Sequence, residues 1–193
     1  MCHAFIGAAS FWSLLFRIDE DLARQARTEG CRSCGGPLHS ARYPRKPRGV
    51  VRGLLDDATA TRLSFCCARD GCRRRHTPAS VRFLDRRVFL GAVVVLVTAL
   101  SSGLTGKRIA VLCEQFDVSV RTLRRWQVWW RERFVATGLW KRLRGRLAVP
   151  LSPSSLPGSL LACLGFEDES ERMIGLLRLL APLSSSSYAR EDR

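Results

Sequence analysis

Two cysteine pairs constrain this chain more than any other feature. Cys31 and Cys34 stand three positions apart in "GCRSCGGP", and further on "RLSFCCARDGCRRRHTP" offers Cys66 or Cys67 as a partner for Cys72. In a reducing compartment, closely spaced cysteines read as metal ligands before they read as disulfides. The "GGP" after Cys34 favours a tight turn whose backbone amides can point at the thiolates. Between the candidates of the second pair, strand alternation decides. Leu63, Phe65 and Cys67 share one face of a two-residue period, and Arg62, Ser64 and Cys66 share the other. Cys67 is therefore the expected ligand and Cys66 a buried or half-exposed thiol. The ligand set Cys31, Cys34, Cys67 and Cys72 fits one tetrahedral Zn²⁺. His39 and His76 are substitute candidates, but each falls outside the knuckle spacing. Four thiolates close the coordination sphere, so the ion is expected to hold structure, with no open position for activating water.

Charge points to the partner. The 193 residues carry 32 Lys and Arg against 17 Asp and Glu, a formal charge of +15, and nearly all the cations are arginine. Guanidinium forks bind phosphate oxygens bidentately and stack on bases. From Cys31 to Arg87 fourteen basic residues face four aspartates, too much charge for a segment with a simple core. A metal supplies the folding free energy that such a segment lacks. The expected form is a zinc ribbon of short antiparallel strands, with a basic loop containing Arg45, Lys46 and Arg48 between its knuckles.

The pattern then turns helical. "VFLGAVVVLVTAL", Val88 to Leu100, is apolar over about 13 residues, short of the roughly 20 that cross a bilayer. A buried helix is expected, with a strand the alternative its valines allow. In "LTGKRIAVLCEQFDVSVRTLRRWQVWW", Leu104 to Trp130, two short helices fit, with Thr105 and Ser119 as N-caps. Leu112, Phe116, Val118, Leu123 and Trp126 occupy the packing positions of a helix-turn-helix, Cys113 the close crossing, and Asp117 the turn position that needs a positive φ. Trp126 is assigned to the core and Trp129 or Trp130 to the preceding helix, on the expectation that the three cannot face one way. Ser119, Val120, Arg121, Arg124 and Arg125 then form an outward face suited to the major groove, where an arginine bonds both acceptors of a guanine. The basic loop is expected to touch phosphates only.

The "C…CRRRHTP" knuckle followed by "LTGKRIAVLCEQFDVSVRTLRRWQ" resembles the N-terminal DNA-binding part of bacterial insertion-sequence transposases, over about Gly30 to Arg133. The resemblance implies recognition of terminal DNA repeats. The RNase-H-like catalytic half of those proteins, with its Asp-Asp-Glu triad, has no counterpart in the roughly 60 residues after Arg133, where "FEDESER" is a local acidic cluster.

The whole is expected to be α+β, built of small modules: an amphipathic helix in 1–29, with Leu14, Leu15, Ile18 and Leu22 on one side; the zinc ribbon in 30–87; the helix-turn-helix in 88–145; and a linker, short helices and a disordered end in 146–193. The linker is "VPLSPSSLPGS". Met1 to Phe16 has no positive charge ahead of its apolar residues, so no secretory leader is expected. The reading is a cytoplasmic, nucleoid-associated protein that binds double-stranded DNA in a sequence-specific manner, without a membrane partner and without strand transfer. Self-association as a homodimer is compatible with it. The competing reading is a zinc-ribbon module that binds protein or RNA. Enzymatic function is not expected, because no Ser-His-Asp order, phosphate loop or H-E-x-x-H is present.

Overall fold

The computed structural model describes residues 4–47, 60–84 and 89–185. It is α+β, with seven α-helices among the described residues and two small antiparallel sheets.

Helix α1, Ala9–Glu29, buries Phe11, Trp12, Leu15, Ile18, Asp19 and Ala23. Those positions recur at the helical period. Leu14, expected on this face, is 37% exposed: the helix turns toward the interior through Phe11 and Trp12, whose larger surfaces win the inward positions. Trp12 donates from Nε1 to the carbonyl of Ile6 at 2.8 Å. The helix ends at Gly30, with φ +76.

The ribbon follows. Strands β1 (Leu38–Ser40), β4 (Phe65–Cys67) and β5 (Arg75–His76) form one sheet in the order β1-β4-β5, and β2 (Tyr43–Pro44) pairs with β3 (Thr61–Arg62) in a second. The register sets Leu38 opposite Cys67 and Phe65 opposite His76. Its small core holds Ala23, Cys31, Leu38, Leu63, Phe65 and Cys67, with Phe16 of α1 against it. Arg62 and Ser64 are buried as well, at 2% and 0% exposure, because chain from Pro78 and Ser184 covers the opposite side.

Helix α2, Gly91–Leu100, is the centre of the second core. Gly91 to Thr98 are all buried, as expected of a helix apolar all round, and each buried valine or leucine is worth about 1.5–3 kcal/mol over an exposed one. A Cβ on Gly91 would meet Leu177 Cδ2 at 3.1 Å. Helices α3 (Gly106–Gln115) and α4 (Val120–Val128) follow, and the latter runs into a π-helical turn, Trp129–Phe134. Trp126, Trp129 and Trp130 are all buried: Trp126 packs edge-on against Phe89, and Trp129 also borders the groove beside α4. Spacings of three and four residues share a helix face, and the wider π turn also brings Phe134 inward, 4.9 Å from Trp130 between ring centroids.

Helix α5 covers Gly138–Arg144. Leu156, inside the segment that reads as a linker by composition, is 3% exposed. Helices α6 (Gly158–Ala162) and α7 (Glu169–Leu180) join the same core through Leu160, Met173, Leu176, Leu177 and Leu180. Among the described residues no helix is long and apolar enough to cross a membrane.

Candidate metal centre and arginine-lined helix

The first knuckle forms because the chain folds back at once after Cys31. The amides of Cys34 and Gly35 donate to the Cys31 carbonyl at 3.2 and 2.7 Å, and the Cys31 amide donates to Gly36 at 2.8 Å. Gly35 takes φ +68. A Cβ on Gly36 would come within 3.3 Å of Cys34 Sγ and 3.4 Å of Cys67 Sγ, so only glycine lets the sulfurs converge there. In the second knuckle the Cys67 amide donates to Arg74 at 2.9 Å and the Cys72 amide to Arg69 at 3.1 Å. The pairing of Leu38 with Cys67 brings the knuckles face to face.

The result is one cluster. The sulfurs of Cys31, Cys34, Cys67 and Cys72 all lie within 4.8 Å of one another, with Cys31 to Cys72 at 3.7 Å and Cys34 to Cys67 at 3.5 Å. Sulfurs bound to a tetrahedral ion at about 2.3 Å stand about 3.8 Å apart, so the donor set fits a structural metal. Cys67, not Cys66, completes it. Cys66 points away and donates to the Arg73 carbonyl at 3.3 Å.

Electrostatics agree with that fit. Burial raises the Cys31 thiol, but the backbone amides of Ser33 and Cys34, with the Cys34 and Cys72 thiols, outweigh it and bring it down to about 5. Burial pushes Cys67 up to about 12, with the neighbouring thiols adding to the rise against the Arg69 amide. The Arg74 amide lowers Cys72, yet burial and the thiols of Cys34 and Cys31 leave it raised. One negative charge is welcome in the cluster and further charges are resisted. A cation among the sulfurs removes that resistance.

Sequence reasoning named His76 only as a substitute ligand. Spacing placed it outside the knuckle, yet its Nε2 lies 3.2 Å from Cys31 Sγ, because the β4–β5 register carries it back over the centre. No local pattern encodes that register. His39, on β1, is exposed. Several cations near the centre serve structure: Arg69 donates to the Cys34 carbonyl at 3.1 Å and Arg74 to Ser33 Oγ at 3.2 Å.

The helical half presents a second surface. Ser119 caps α4, its Oγ accepting from the Thr122 amide at 3.1 Å and bonding Thr122 Oγ1 at 2.9 Å. That hydroxyl is therefore committed to the helix. Thr105 stands at the N-cap of α3 without a side-chain cap bond. Between the helices Asp117 takes φ +49, and the Val118 amide donates to the Cys113 carbonyl at 2.8 Å. Leu112, Cys113, Phe116, Val118, Leu123 and Trp126 are buried. Burial raises the Cys113 thiol.

The outward face carries Arg121, Arg124 and Arg125, all exposed, with Val120 half-buried. They border a groove of about 430 Å³, completed by Val128, Trp129 and Arg133. Arg125 is held by a bond from Nη2 to Thr122 Oγ1 at 3.0 Å. Among the described residues none of these four arginines is ion-paired. On the ribbon, Arg45 is half-buried, with its guanidinium 5.7 Å from the Tyr43 ring centre. Arg75 lies over the same ring at 5.7 Å. Arg45 is thus packed on the ribbon rather than free on an arm, while Lys46 is exposed. Arg48 lies outside the described residues.

No family model, curated protein or solved structure matches this chain.

Proposed function

We propose that this chain binds double-stranded DNA in a sequence-specific manner, through a helix-turn-helix formed by α3 and α4, with a ribbon held by a structural Zn²⁺ beside it. The observation that carries the reading is the groove beside α4, lined by four arginines with no carboxylate partner among the described residues. Uncompensated guanidinium groups on one face repel each other, and a polyanion relieves that repulsion. The positive φ at Asp117 and the buried Cys113 at the crossing support the helix-turn-helix reading. The motif resemblance to the DNA-binding part of insertion-sequence transposases supports it too.

In this reading Arg121 and Arg124 reach base edges, while Arg125, braced by Thr122, is pre-oriented for a base or the adjacent phosphate. Arg45, Lys46 and Arg48 follow the backbone. Zn²⁺ on Cys31, Cys34, Cys67 and Cys72 supplies fold rather than chemistry, and the chain neither cuts nor joins strands. The test is duplex binding at several salt concentrations for Arg121→Ala, Arg124→Ala and a triple Arg45, Lys46, Arg48 alanine variant. Loss of a base-reading arginine should cost about 1–3 kcal/mol on the preferred site and little on random DNA, whereas the loop variant weakens both alike. Absence of salt-dependent duplex binding in the wild type, or helix variants that keep full sequence preference, transfers the ribbon to the protein- or RNA-interaction reading.

A further inference from the structure

His76 stands at the seam between the ribbon and the rest of the chain. Cys31 follows directly on Gly30, the residue that ends α1, so it marks where the chain enters the ribbon. His76 ends β5, where the chain leaves it. Two residues later the Pro78 carbonyl accepts from buried Arg62 at 2.7 Å, and Ser80 and Val81 then bond Asp19 of α1. The His76 ring is held in place from its own backbone: Phe65 pairs opposite it, and Ser64 Oγ donates to its carbonyl at 3.3 Å. From that anchor Nε2 reaches Cys31 Sγ at 3.2 Å, while the cluster of four mutually close ligand atoms consists of sulfurs alone.

We propose that His76 is a positioning residue of the metal centre, donating its Nε2 proton to the metal-bound thiolate of Cys31. The inference rests on the metal reading above. Four thiolates on a divalent ion leave a net charge of −2, which N–H donors must offset in a half-buried site. Backbone amides supply part of this: Ser33 and Cys34 to Cys31, Arg69 to Cys67 and Arg74 to Cys72. The imidazole adds a side-chain donor to Cys31. Because that donor comes from the exit strand, the bond also clasps the two ends of the ribbon over the ion. A neutral imidazole protonated on Nε2 suffices, and Nδ1 is not required to carry a proton.

The full-length chain tests this with His76→Phe and His76→Gln, the latter keeping an amide N–H donor. Metal affinity, read by chelator competition with Zn²⁺, should fall about 10–100-fold in His76→Phe and stay near wild type in His76→Gln. In the Co²⁺-loaded chain the sulfur-to-metal charge-transfer band should move to lower energy in His76→Phe and much less in His76→Gln. Cadmium loading provides a reading that needs no variant: a scalar coupling between ¹¹³Cd and the Nε2 proton across the hydrogen bond, whose absence overturns the proposal even if His76→Phe fails to fold. Equal metal affinity in wild type and His76→Phe overturns it, as does a His76→Gln variant as weak as His76→Phe. A wild-type Co²⁺ spectrum of three thiolates and one nitrogen makes His76 a ligand and overturns it too. A wild-type chain that takes up no metal sinks the metal reading itself, so the two failures are distinct.

Discussion

The Asp19 carboxylate accepts from Nε of Arg82 at 2.8 Å, and both side chains are removed from solvent. The same carboxylate takes Ser80 Oγ at 2.5 Å and the Val81 amide at 2.7 Å, so one acid of α1 gathers the segment that leaves the ribbon. Arg62, buried nearby, has its pKa lowered to about 10 by desolvation, with Asp19 opposing that shift. The guanidinium of Arg82 also lies 4.8 Å from the Phe16 ring centre. One carboxylate thus serves two buried cations.

Replacing Asp19 by alanine should therefore destabilise the chain by about 3–5 kcal/mol, the cost of leaving a buried charge without its partner. Arg82→Met should cost less, because Asp19 keeps its bonds from Ser80 and Val81 and the attraction of Arg62. Denaturant unfolding of both variants checks the order. The reverse order would show that the packing of Arg82, not the charge of Asp19, holds the seam.

At the metal centre, Cys67→Ser should release the ion and unfold the ribbon, whereas Cys66→Ser should leave metal content near one equivalent. Metal analysis of purified variants, with circular dichroism alongside, decides it. Loss of metal in the Cys66 variant and retention in the Cys67 variant would reverse the ligand assignment.

Helix α7 offers a pH test. Asp168 caps it, accepting from Ser170 Oγ and from the Glu171 amide, and these bonds, the Ser170 hydroxyl foremost, hold its carboxyl below the ordinary carboxylate range. A depressed folded pKa means stability that is present above the unfolded value and lost as pH falls through the folded one. Asp168→Ala should therefore lose its stability difference from wild type progressively below about pH 4. A difference that stays constant down to pH 2 would remove the charged cap from the account.

Asp117 sits at φ +49 between α3 and α4. Glycine there should be neutral or stabilising by up to about 1 kcal/mol, and valine should cost about 1–2 kcal/mol, since a branched Cβ resists the left-handed region. Thermal melts of Asp117→Gly and Asp117→Val measure both. If valine is tolerated as well as glycine, the turn relaxes out of that conformation in solution.

What the sequence determined by itself was local. The tight turn after Cys34, the two-residue alternation that favours Cys67, the Ser119 cap and the apolar run of α2 each depend on residues within a few positions of one another, where chain geometry leaves few choices. The tertiary structure alone decided the rest. The bond of His76 to Cys31 spans 45 positions and that of Arg82 to Asp19 spans 63. Helix α7, which the sequence marks only as a short helix beyond a linker, packs against α2, where Gly91 leaves room for Leu177. Period and spacing say which face of an element is apolar. They do not say which distant face will cover it, because that choice minimises exposed apolar surface and unpaired charge over the whole chain at once.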